Sequence, residues 1–414
     1  MPITLFGIIW LAFLVYSCCS KNPHALLGML LLSTVLQSTN VLVLSGGTGV
    51  GPLTITSGVY FLRMALYINQ LVLAVRKETI ALALFMTVIF LGLVLSDALS
   101  GNVILYFLQL LCYAMCFSQI LKVEEVYEKA VVERIIINIL WFVVIMGAVQ
   151  FLMSCLIIPK FNIIRLLFYN EQGLTETVQF LIPERYPRLF STFLEPSYCG
   201  AFLTGSFYYL IAQERNLEGN KLLAACVLAE IILTRSSTAY AAMLIGGIIF
   251  AVLGKNKRLL YLLLPVAAAG LIVCIVQYDE IISLVAAKFA SESGKERNKW
   301  NRYAILDFYD HKIIGVGYKQ ARASSLFYSI LAQTGLLGLG SYVSMLGTIL
   351  HRSLDMPASS EPLTGAKLAL ITVVVSQVIA CPDLDFCVFW YFMFVIAVFY
   401  YHEDIHYEYG KDQV

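Results

Sequence analysis

The chain is predicted to be an all-α polytopic integral membrane protein of about 12 or 13 transmembrane helices, and three observations predict it. Of its 414 residues, 59% are hydrophobic and only 13% are charged, where a soluble domain carries about 25% charge. The mean hydropathy is +0.80. Apolar runs of about 20 residues, the length a helix needs to cross a bilayer, recur from one end of the sequence to the other. Lipid offers no partner to an open backbone, so helices that satisfy their own N–H and C=O groups are the compatible fold class. We read the whole of 1–414 as a single transmembrane domain.

The expected spans lie near 3–19, 25–43, 55–75, 79–98, 100–121, 135–157, 197–212, 222–234, 238–253, 259–277, 324–350, 368–381 and 386–400. The first run lacks a basic flank and a small-residue cleavage site, so it reads as a span and not a signal peptide. Arg76 and Lys77 follow the third span; Lys122, Lys129 and Arg134 flank the gap after the fifth. Arg215 and Lys221, then Lys255, Lys257 and Arg258, then Arg352 and Lys367 continue the alternation. Short basic loops mark the cytoplasmic face. The two long loops, 158–196 and 278–323, are then extracytoplasmic. The second holds eight Lys and Arg against six acidic residues, an outer surplus that long loops tolerate. The ten cysteines are scattered through apolar segments and read as small packing residues, not as a metal or disulfide set. The net charge of +1 is uninformative, because in a polytopic chain the placement of charge matters more than its sum. Membrane lipids are expected partners, and nucleic acid is not.

Charge at the membrane boundary points to function, since Arg costs roughly 2.5–3.5 kcal/mol at the centre of a spanning helix. Arg63 in the third span, Arg188 before the seventh, Arg235 after the eighth and Arg302 in the second long loop are expected to converge at the outer interface. Arginine suits phosphate, because its planar fork makes paired charge-assisted hydrogen bonds and stays protonated. Ser236 and Ser237 follow Arg235, and a helix starting there would present free N–H groups to an anion. Glu230, five residues before Arg235, is a competing structural partner for it. Pro196 and Ser197 suit a first helical turn, which fixes Glu195 at the helix N-terminus as a cap or a base. Gly315 and Gly317 read as a tight turn or, more weakly, a phosphate cradle. Asp383 and Asp385 read as a polar hairpin or as ligands for sugar hydroxyls. His402 and His406 stand at i, i+4 in an exposed tail.

Arg188-x-x-Ser191 with Glu195-Pro196-Ser197 and Gly200, then LTRSSTAY at 233–240, then the segment 301–338 with Gly315-x-Gly317, form three ordered blocks on the expected outer face. Together they resemble the signature of the Wzy-type polysaccharide polymerase and O-antigen ligase superfamily, over about a third of the chain. The resemblance implies a GT-C-like helical fold in the bacterial cytoplasmic membrane. It implies inverting transfer of undecaprenyl-pyrophosphate-linked glycans on the outer face, without a cofactor or metal. Carried onto this sequence, Arg188 and Arg235 hold the donor pyrophosphate, assisted by Arg302 and Arg63, with Arg322 a further substrate-binding residue, while Glu195 orients or deprotonates the acceptor hydroxyl. A flippase and a chain-length regulator are the implied protein partners. Where ligase-type members carry a His, this chain has Ala323, Ser324 and Ser325; His311 lies earlier and reads as a loop surface histidine or, more weakly, as a substitute within reach of the site. An O-antigen ligase-like transferase and a lipid-linked oligosaccharide flippase are the alternative functions. A flippase is expected to carry cations in both halves and to show an internal repeat.

Overall fold

A computed structural model describes residues 3–20, 22–43, 49–68, 76–96, 100–123, 126–156, 188–213, 217–253, 292–351 and 361–400. The expected span 259–277, most of the first long loop and the tail with His402 and His406 lie outside the described residues. Among the described residues are thirteen helices: α1 Leu5–Cys19, α2 Pro23–Val35, α3 Pro52–Ile68, α4 Lys77–Val94, α5 Gly101–Val123, α6 Lys129–Leu156, α7 Pro196–Ile211, α8 Leu217–Thr234, α9 Ser237–Leu253, α10 Glu292–Asp310, α11 Leu326–His351, α12 Glu361–Ala380 and α13 Cys387–Phe399. Twelve of the thirteen expected spans overlap one of these helices, although the expected span 25–43 leaves the helix after Val35, eight residues early, and the protein is an all-α membrane protein. Five helices (α4, α5, α6, α11 and α12) are long and apolar enough to cross a bilayer.

The core is built around α13. Every residue from Val388 to Phe399 is buried. A helix apolar on all sides can be satisfied only by being surrounded, and α13 packs on α2, α5, α7 and α12. Trp390 meets Tyr113 of α5 edge-on at 5.7 Å, and Tyr391 meets Phe202 of α7 at 5.3 Å. At its 13 residues α13 is about 20 Å long, short of the hydrocarbon thickness, which costs nothing to a helix wrapped in protein. The edge helices differ: α1 turns Leu5, Ile8, Phe13 and Tyr16 outward, as a lipid-facing helix does. A cavity of about 530 Å³ between α4 and α5 is lined mainly by apolar side chains such as Ile80, Met86, Phe90 and Phe107.

Contacts define the two ends of the bundle. At one, His24 at the start of α2 accepts a hydrogen bond from the Glu128 N–H, Tyr60 bonds Tyr127, and Tyr400 donates to Glu78 at 2.5 Å. Arg76, Lys77, Lys129 and Lys367 belong to this basic end. The other end is capped by a small hairpin, β1 Leu42–Val43 against β2 Gly49–Val50, whose Leu42 also bridges Ile3. The 188–195 strap, the turn between α8 and α9, the 311–325 segment and the 381–386 turn all lie at this loop end.

Part of the second long loop is a helix. Along α10, Arg297, Trp300, Asn301, Ala304 and Phe308 are wholly or partly buried, while Asn298, Arg302, Tyr303 and Leu306 are exposed. That three-to-four-residue spacing makes one face, and it rests on α11. Helix α11 is itself broken at Gly335, where φ is 64°. The backbone freed by the break is taken up by the segment after α10. The N–H groups of Val316 and Gly317 donate to the carbonyls of Ala332 and Gln333, and those of Leu336 and Leu337 donate to Lys312 and Ile313. Irregular backbone survives here because these N–H groups find carbonyl partners within the protein. A Cβ on Gly335 would stand 2.4 Å from the Ile313 carbonyl, and one on Gly315 2.4 Å from the Thr334 nitrogen.

Candidate functional site

The strap ahead of α7 is bonded at almost every residue. Gln150, buried in α6, accepts the N–H groups of Phe190 at 3.0 Å and Ser191 at 3.3 Å. Ser191 Oγ donates to the Val143 carbonyl at 2.7 Å, and Thr192 Oγ1 donates to Val35 at the end of α2 at 2.6 Å. The Leu189 N–H donates to Leu233. This network holds Ser191 at φ 49°, a conformation that costs an L-residue roughly 1–2 kcal/mol and persists only where the surroundings over-determine it.

Arg188 and Arg235 are brought together. Arg188 donates from Nε to the Thr234 carbonyl and from Nη2 to the Arg235 carbonyl, both at 3.2 Å. Arg235, exposed, turns the chain between α8 and α9 at φ 50°. Ser236 follows as the cap: its Oγ accepts the Ala239 N–H at 3.4 Å, while Ser237 is the first, exposed residue of α9. Gly200 permits α7 to lie against this turn, since a Cβ there would fall 2.6 Å from the Ala239 Cβ. The N-termini of α7 and α9 therefore stand side by side, with two arginines beside them. Helix N-termini and guanidinium groups both favour negative charge, although Arg188 here spends Nε and Nη2 on the Thr234 and Arg235 carbonyls.

Glu195 is the N-cap residue of α7, with Pro196 at the first helical position, and its side chain makes no capping hydrogen bond. It instead accepts the Ser197 hydroxyl on Oε2 at 3.1 Å. Of the cap and base roles left open by the sequence, side-chain capping is thus absent. The other flank of the same first turn carries Tyr198, whose hydroxyl donates to Asp383 Oδ2 at 3.2 Å. Asp383 and Asp385 both hold Lys319 Nζ, at 3.1 and 2.8 Å. Burial works against the Lys319 ammonium, but Asp385 and then Asp383 outweigh it and hold its pKa above the ordinary lysine range. Lys319 sits at φ 61°.

Three sequence-based expectations are corrected. Arg63 is at the opposite end: its Nε donates to the Cys18 carbonyl at 3.0 Å, one turn from the Tyr60–Tyr127 pair. Helix α6 runs from the Glu128 level to Gln150 beside Arg188, so about 30 Å of helix separates the two arginines. The reason is register, since α3 spans Pro52–Ile68 and position 63 is well past its middle. Glu230 does not hydrogen-bond Arg235, because both of its carboxylate oxygens are buried without a hydrogen-bond partner. Five residues along a helix turn a side chain about 140° away, and Glu230 faces α6 at Gly147. The Gly315–Gly317 turn is no phosphate cradle, since the N–H groups of residues 315–317 are spent on His311 and on α11.

The remaining expected residues lie at the loop end without joining Arg188. Arg302 is on the exposed face of α10, and Arg322 stacks on Trp300 at 3.8 Å from the ring centroid. His311 is exposed, and its backbone closes α10 and the turn after it. The α10 arginine on the packed face is Arg297, which lies within electrostatic reach of Cys381, as do Glu195 and Asp383. Arg297, Lys319 and Gln150 were not singled out from sequence. A lone Gln in the apolar run of α6 was a readable signal; nothing local marked the other two. No family model matches the chain, and no curated protein matches it.

Proposed function

We propose that the protein is a Wzy-type polysaccharide polymerase, joining undecaprenyl-pyrophosphate-linked repeat units on the outer face of a bacterial cytoplasmic membrane. One observation carries the reading. Three non-glycine residues have positive φ among the described residues, Ser191, Arg235 and Lys319, and each belongs to a different one of the three ordered sequence blocks. Strained backbone concentrates at functional sites, and here all three instances face one end of the bundle.

The division of charge fits the chemistry. The first turn of α7 separates a basic half, Arg188 and Arg235, from a half containing Asp383 and Asp385, and it carries Glu195. In the reaction, Glu195 takes the proton of an acceptor hydroxyl. The oxygen attacks the anomeric carbon of the donor sugar, and the bond from that carbon to the pyrophosphate oxygen breaks with inversion. The leaving pyrophosphate keeps the electron pair, and the arginines and the α9 N-terminus stabilise its charge. A GT-C-like arrangement is the fold expected for such a transfer. Deletion of the gene tests the reading: lipid-linked single units, or surface polysaccharide capped by one unit, should replace long chains on a gel. An unchanged chain-length distribution would defeat it.

A further inference from the structure

We propose that Lys319, Asp383 and Asp385, framed by Tyr106, Tyr198 and Tyr318, form a subsite that binds the acceptor sugar as a neutral polyol. The inference rests on the polymerase reading for the word acceptor, but its geometry stands by itself.

The triad is positioned before any ligand arrives. The Lys319 N–H donates to Gln333 Oε1 at 3.0 Å, and Gln333 Nε2 in turn donates to the Ala321 carbonyl and to Ser329 Oγ. The ammonium lies 5.4 Å from the Tyr106 ring centroid and 5.8 Å from that of Tyr318. The carboxylate turn is fixed as well, by Gln377 Nε2 donating to the Asp383 carbonyl and Trp390 Nε1 to that of Leu384.

The two carboxylates differ in access: the Asp385 side chain is 12% exposed and that of Asp383 is 43% exposed. Asp385 is the anchor. Asp383 accepts one bond on each oxygen, from Lys319 and Tyr198; a carboxylate has about four acceptor positions, so roughly half of its capacity faces outward. A second observation is independent of the acidic pair. The Tyr318 hydroxyl is fully buried, has no hydrogen-bond partner, and lies in the field of Asp385 and Asp383. Burial first, then those carboxylates, push its pKa well above the usual tyrosine range, so it keeps its proton.

Charge selects the ligand class. One cation against two anions leaves a net negative triad, which repels phosphate and suits hydroxyl groups. Hydroxyls donate to Asp383 and accept from Lys319, while the partly exposed rings of Tyr106 and Tyr198 offer faces to the C–H side of a sugar. The pyrophosphate is thereby directed to the arginines across α7 and the acceptor ring to this side, with Glu195 between them.

The test uses full-length protein in nanodiscs and two probes. One is the free oligosaccharide released by mild acid from the host's lipid-linked glycans; the other is undecaprenyl pyrophosphate. Asp383→Asn keeps an acceptor for Tyr198 and should fold. It is expected to weaken oligosaccharide binding about tenfold or more and to leave undecaprenyl pyrophosphate binding unchanged. Lys319→Met should do the same, and unchanged lipid binding would show that it had folded. Wild-type protein that binds no oligosaccharide, or Asp383→Asn that binds it like wild type, overturns the subsite and reduces the triad to a clasp. Arg188→Ala that keeps its affinity for undecaprenyl pyrophosphate, with Asp383→Asn impaired for the oligosaccharide, supports the subsite and defeats the donor assignment separately.

Discussion

Arg235 bears both a guanidinium and a strained backbone, and one substitution separates them. Arg235→Gly relieves a left-handed conformation costing about 1–2 kcal/mol while adding glycine's entropy cost of roughly 0.5–1 kcal/mol. The variant should melt within a few degrees of wild type and make no polymer; full activity would remove Arg235 from the donor site. Glu195→Gln retains an acceptor for Ser197 but cannot take a proton. Polymer formation should fall about 10²–10⁴-fold with folding intact, and a near-normal rate would return Glu195 to a structural role. Lys319 gives a pH prediction with a definite sign. Its folded pKa lies above the ordinary lysine value of 10.5, so its stabilisation is full below about 10.5 and is lost only as pH rises through the folded value. The stability deficit of Lys319→Met should therefore be flat from pH 6 to 9, and a deficit that shrinks across that range would contradict the pairing. What was legible at this scale was local. Glu195-Pro196 announces a helix start and Arg235-Ser236 a turn within four residues of sequence. The Lys319–Asp383 pair spans 64 positions and leaves no local trace.

At the scale of elements, hydropathy located the spans because the apolar length of a helix is set by the bilayer. Register was less legible: α3 spans Pro52–Ile68 against the expected 55–75, which places Arg63 past the middle of the helix, in its basic half. Helix α10 was read as a charged loop, since seven Lys, Arg, Asp and Glu among its first sixteen residues mask the Arg297–Asn301–Ala304–Phe308 face. The break in α11 was also hidden. Glycines at 315, 317 and 335 are visible in sequence, but which backbone they admit is a tertiary fact. Gly335→Ala must place a Cβ 2.4 Å from the Ile313 carbonyl at φ 64°. It should destabilise the protein by about 2 kcal/mol or more and lower activity, because the displaced segment carries Lys319. Thermal unfolding in detergent checks the first effect, and a wild-type melting curve would mean that the break is not required.

For the whole molecule, a fully buried α13 ties α2, α5, α7 and α12 into one body, and among the described residues the 188–195 strap, the α8–α9 turn, the 311–325 segment and the 381–386 turn share one end. Polarity of the bundle follows: basic residues and tyrosine clasps at one end, the Arg188–Arg235 turn and a carboxylate–lysine triad at the other. Under the proposed function this second end joins lipid-linked glycans, and reconstitution tests that most directly. Purified protein in liposomes, supplied with lipid-linked repeat units and no nucleotide or metal, should produce a ladder of longer lipid-linked chains. One undecaprenyl pyrophosphate should be released for each linkage, and Arg235→Gly and Glu195→Gln should abolish both. Transfer of the intact lipid-linked unit across the liposome membrane, with no ladder and no released undecaprenyl pyrophosphate, would contradict it.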